Sequence, residues 1–166
     1  MAISPAHEWA DFFIAAAGAA AALAGLVIVA LSVNINQILK YSHLPARAGA
    51  TISTLILVLV CSMAVLIHQN TAALGVEVLV FGTCGWVLQV WSARKGAAAS
   101  AEFGRPRHES VLDVSMGQIQ ALPFMVAGIA LLTGHEGGFY WMAAGVIAVF
   151  ILSVLNAWVL LVEILR

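Results

Sequence analysis

Apolar residues run along this chain in long, almost unbroken blocks, and polar residues fall between the blocks instead of alternating within them. A helix rising 1.5 Å per residue needs about 20 such residues to cross the hydrocarbon core of a bilayer. Five blocks pass that length, at about 12–33, 48–67, 72–91, 111–132 and 139–165. Barrel strands would alternate in polarity, and these blocks do not. The pattern predicts an all-α integral membrane bundle of five transmembrane helices, one domain spanning residues 1–166.

The breaks carry their own signals. Ser4-Pro5 offers a cap and a first-turn proline for the first helix, and Leu44-Pro45 marks the start of the second. "HQNT" (68–71) reads as a tight turn, with Asn70 or Thr71 placed to cap the third helix, and "TGHEGG" (133–138) as another. The segment 94–110, "RKGAAASAEFGRPRHES", reads as the one substantial loop because of its Gly, Pro and charge content. Pro123 should kink the fourth helix and free a carbonyl nearby.

Composition supports the membrane reading. The chain is 63% hydrophobic and 9% charged, with mean hydropathy +1.02. Soluble domains carry about 25% charged residues, so this chain could not clothe a water-facing surface. A net charge of −1 supplies no basic footprint for nucleic acid. There is no zinc-type Cys pairing and no phosphate-binding glycine loop. Cys61 and Cys84 lie within apolar blocks and read as small packing residues. The start "MAISPAHEWADFF" lacks the positive region of a secretory signal, so the first helix is expected to be retained.

Charge orients the bundle. With five spans, Lys40, Arg47, Arg94, Lys95, Arg105, Arg107 and Arg166 all fall on one side, which accounts for all 7 Lys and Arg. The positive-inside rule then puts the N-terminus outside and the C-terminus in the cytoplasm. Trp9, Tyr140 and Trp141 fall at the outer boundary and Tyr41 and Trp91 at the inner one, whereas Trp86 and Trp158 sit deeper and read as packing residues.

That topology gathers His7, Glu8, Asp11, His68, Glu77, His135 and Glu136 on or near the cation-free outer side. His7 and Asp11 share a helix face at i,i+4 spacing. Imidazole with carboxylate suits a divalent transition metal such as Zn²⁺, Cu²⁺ or Mn²⁺. The plain alternative is that acids in a first turn complement the helix dipole. Glu77 stands out because an ionisable group at the centre of a span costs roughly 2.5–3.5 kcal/mol, so it could carry a proton or screen an ion; the plain alternative, near the outer end of its helix, is that it reaches the headgroups. In the inner half, Gln118, Gln120 and Asn156 read either as amide glue between helices or as a permeation lining. Glu163 is expected to pair with Arg166 or another inner cation.

Small residues add a packing expectation. "AAAGAAAALAG" (15–25) makes a thin first helix, with Ala21 and Gly25 a small-xxx-small pair and Gly18 and Gly25 seven apart. Gly82 and Gly85, with Gly75, do the same for the third helix. Such faces permit close backbone approach, within one chain or between chains.

The stretches "FFIAAAGAAAALAGLVIVALSVNINQIL", "LPARAGATISTLILVLV" and "LNAWVLLVEILR" together resemble a group of small bacterial multi-pass membrane proteins with no assigned activity. Some of these are labelled modulators of a membrane-bound AAA protease. The resemblance implies a bacterial inner membrane and brings no active residues. Two functions compete. One is a homo-oligomer with a channel-like or ion-handling role, which needs polar residues converging on an axis. The other is an accessory subunit of a larger membrane complex or protease, which needs an exposed small-residue or aromatic stripe. No catalytic motif supports an enzyme, and a haem held by His68 and His135 is disfavoured because each lies in a short turn.

Overall fold

The computed structural model describes the backbone of residues 8–33, 35, 43–102 and 107–158, with side chains placed over 8–33, 35, 45, 48–94 and 115–158. Among these residues the chain forms α1 (Ala10–Val33), α2 (His43–Leu66), α3 (Thr71–Glu102), α4 (Arg107–Leu132) and α5 (Gly138–Trp158). All five are long and apolar enough to cross a membrane. Ser4-Pro5, Tyr41, Lys40 and the stretch 159–166, with Glu163 and Arg166, lie outside the described residues.

One boundary differs from the sequence reading. Residues 94–110 were expected to form a loop, but α3 continues to Glu102 and α4 already begins at Arg107. The reason is local: "AAASAE" is rich in alanine, the strongest helix former, and an established helix extends easily past the single Gly96.

Both tight turns form as expected. Asn70 Oδ1 accepts the Ala73 amide at 2.6 Å and caps α3. At the end of α4, Gly134 adopts φ +77°. Its amide bonds Leu131 O at 3.1 Å, and the His135 amide reaches back to Ala130 O at 2.8 Å. That pair is a Schellman C-cap, in which glycine supplies the left-handed residue without steric cost. The two turns lie at the same end of the bundle, called here the short-turn end.

Helices α2, α3, α4 and α5 pack in a closed ring, each on its chain neighbour and α5 back on α2, while α1 lies outside against α2 and touches α5. The α3–α4 pair is the tightest. A Cβ at Gly75 would lie 2.6 Å from Leu132 N, and one at Gly128 would lie 2.8 Å from Leu79 N. Leu55, Val58, Val78, Phe124, Val146 and Val149 fill the interior. The exterior is equally apolar, with Ile14, Val29, Ile56, Val80, Ile129 and Ile151 exposed. An outer surface of this kind suits lipid rather than water.

Candidate functional site

At the short-turn end the expected ligand set stays dispersed. Glu8, Asp11, His68, His135 and Glu136 are exposed, and His7 lies outside the described residues. Among the described residues, no three His, Cys, Asp or Glu side chains come together to hold a metal ion. Asp11 occupies the first turn of α1, where its charge complements the helix N-terminus. The His135 Nδ1 sits 3.0 Å from Thr133 Oγ1, within its own turn.

Among the described residues, Glu77 is the one acid at this end with a side-chain hydrogen bond to another element. Its half-buried carboxylate accepts from Gln69 Nε2 at 2.8 Å, and the same amide donates to Ala64 O at 3.0 Å. Gln69 therefore links the α2 C-terminus, the turn and the second helical turn of α3. The sequence reading did not single out Gln69, although its place in the turn before Glu77 was visible. Nearby, Trp9 stacks on Phe139 with ring centroids 6.3 Å apart and meets the Tyr140 ring edge-on at 4.8 Å. This aromatic clasp ties the start of α1 to the start of α5.

Away from that end, each of the three amides of the sequence reading bonds a neighbouring helix. Trp86 Nε1 donates to Gln118 Oε1 at 2.6 Å, and Gln89 Nε2 to Gln120 Oε1 at 3.2 Å, both across α3–α4. Asn156 Nδ2 donates to Thr51 Oγ1 at 3.1 Å, across α5–α2. Gln118, Gln120 and Asn156 are thus cross-links in the ring. Gln89 was missed, though an amide inside the apolar run "WVLQVW" was a readable signal. Pro123 lies inside α4, which continues through it to Leu132.

The small residues divide into two groups. Gly82 and Gly85 are buried: a Cβ at Gly82 would meet Phe124 Cβ at 3.3 Å, and one at Gly85 would meet Leu57 Cδ2 at 3.0 Å. Gly18, Ala21 and Gly25 are exposed, and nothing lies within 4 Å of a Cβ built at Gly18 or Gly25. Packing of this stripe within the chain, one of the two expected outcomes, does not occur among the described residues. The outward face instead carries Ala15, Gly18, Ala22, Gly25, Val29 and Ser32, all exposed and spaced alternately by three and four. That spacing keeps these residues along one side of the helix.

Two packing expectations fail. Cys61 is buried but Cys84 is exposed, both as free thiols. Trp158 points outward, 65% exposed. Both lie on helices that are apolar on every side, where sequence does not mark the inward face.

No protein-family model, curated protein or solved structure matches the chain, so the resemblance to small bacterial membrane proteins stands as an expectation of the sequence.

Proposed function

We propose that this chain is a polytopic protein of the bacterial inner membrane, N-terminus outside and C-terminus in the cytoplasm, that acts by helix–helix association and not by catalysis. The outward face of α1 carries the reading. In lipid, two helices gain no hydrophobic energy by meeting, so association depends on close backbone contact across small residues. Gly18, Ala22 and Gly25 supply such a face, and no part of the described chain covers it. A second copy is the occupant proposed, in a closed cyclic assembly. Docking to a larger membrane complex or protease is the alternative occupant. A pore through a single protomer has little room, because Val58, Phe124 and Val149 fill the ring interior.

Cysteine cross-linking in native membranes tests this reading in a Cys84→Ala background. Ala22→Cys should give a disulfide-linked dimer, while Val154→Cys, exposed on α5, should not. Monomer alone at Ala22 and its neighbours on that face would remove the proposal. Linkage to a different protein would select the accessory-subunit alternative.

A second reading, ion or metal handling at the short-turn end, is favoured by Glu77, whose carboxylate is half-buried on an apolar helix and positioned by Gln69. Calorimetric titration of the full chain with Zn²⁺ should then show binding that Glu77→Gln weakens. Absence of binding heat from the unaltered chain would end this reading.

A further inference from the structure

Thr54, Gln89, Gln120 and Ser153 place one buried polar side chain on each of the four ring helices, in addition to Ser62 about two turns nearer the short-turn end on α2. Their register follows from close contacts: position 85 of α3 meets Leu57 of α2, and position 145 of α5 meets Phe124 of α4. One turn further from the short-turn end, Gln89 comes level with Thr54, and Gln120 with Val149. Another turn along α4 and α5 brings Gly117 level with Ser153. Position 117 also touches α3, since a Cβ there would lie 3.4 Å from Gln89 Oε1. The Asn156–Thr51 bond independently sets Ser153 opposite Thr54, three residues away on each helix.

These side chains are almost fully enclosed: Thr54 is 1% exposed, Gln89 8%, Gln120 4% and Ser153 1%. Ser153 lies on the inward stripe of α5 with Met142, Val146 and Val149. A helical hydroxyl ordinarily bonds back to a carbonyl three or four residues earlier. Thr54 does so, to Thr51 O at 2.9 Å. The Ser153 hydroxyl makes no hydrogen bond to any described residue. A buried polar group left so is costly, and a buried water, which takes about three hydrogen bonds, is the usual remedy.

We propose that this layer binds water within the apolar interior, held by Ser153 Oγ, Gln89 Oε1 and the amide nitrogen of Gln120. The chemistry of the layer selects a neutral guest. Among the described residues it offers hydroxyls and amides and no carboxylate, so a desolvated cation would find no compensating charge there. Glu77 lies 12 positions from Gln89 along α3, about 18 Å at the helical rise. Toward the short-turn end, Val58, Phe124 and Val146 close the layer with fully buried apolar side chains.

Water-edited solid-state NMR of the full chain in phosphatidylethanolamine–phosphatidylglycerol bilayers tests the site. Magnetisation transfer from water to Ser153, Gln89 and Gln120 should be roughly threefold or more faster than to Val58 and Phe124. In Ser153→Ala, transfer to Gln89 and Gln120 should fall to the Val58 level. Transfer in the unaltered protein no faster than at Val58, or fast transfer to both amides persisting in Ser153→Ala, would overturn the proposal. The proposed bilayer insertion is read separately: outward-facing Val29 and Val154 should be dry, and wet signals there would count against insertion and not against the layer.

Discussion

Gly128 of α4 lies so close to α3 that a Cβ at that position would sit 2.8 Å from the backbone nitrogen of Leu79. The neighbouring contact repeats the relationship in the other direction, with Gly75 of α3 against the backbone of Leu132. Neither neighbour is a flexible side-chain end, so neither can yield cheaply. These two glycines set the separation of the α3–α4 pair, and through it the amide bonds further along.

Gly128→Ala should therefore lower stability by about 1–3 kcal/mol, the usual cost of overpacking. Gly18→Ala, where space is open, should preserve the fold and leave monomer stability unchanged or raised by up to about 1 kcal/mol through helix propensity. Unfolding of both variants in the same detergent, followed by circular dichroism, compares them directly. Equal stability would mean that the close approach of α3 and α4 is not under strain from an added methyl group.

The Gln89–Gln120 bond should show the asymmetry of buried hydrogen bonds. Gln120→Leu alone leaves the Gln89 amide without its acceptor and should cost about 1–3 kcal/mol. Adding Gln89→Leu should cost less than the second single change, with a coupling of about 0.6 kcal/mol, the average for polar pairs in membrane helices. A double-mutant cycle measures it. Strict additivity would mean that the two amides do not interact.

Trp9→Ala should loosen one end of α1 and leave the ring intact. Each aromatic pair contributes about 0.5–1.5 kcal/mol beyond area burial, and Trp9 meets Phe12, Phe13, Phe139 and Tyr140. Amide hydrogen exchange should accelerate in the first turns of α1 and stay unchanged in α3 and α4. Faster exchange spread evenly over all helices would instead make Trp9 a global stabilising residue.

Gly18→Ile and Gly25→Ile should separate association from folding. Bulky branched side chains on the outward face of α1 should weaken self-association at least about tenfold, equivalent to about 1.4 kcal/mol. The monomer should keep its helix content, because no described residue abuts either position. Sedimentation equilibrium in detergent reads the first effect and circular dichroism the second.

Several features were legible without tertiary information because their causes are local. A membrane-length apolar block is a property of consecutive residues, so the five helices could be read directly from the chain. The Asn70 cap and the turn at Gly134 depend on side chains and dihedrals within a few residues. The helical continuation through 94–102 is equally local, but there the loop signal of the charges and Gly96 competes with the helix propensity of the alanines.

The order of residues alone therefore carries the number and apolar character of the helices, together with the chemical types of their few polar residues. Tertiary structure decided which glycines meet another backbone and which face outward. It also decided that Gln69 holds Glu77, and that Gln120 bonds Gln89 and not Asn156. The physical reason is that a helix apolar on all sides has no polar face to mark its orientation. Only contact with its neighbours selects the inward stripe, and a polar side chain acquires its partner only once that stripe is set.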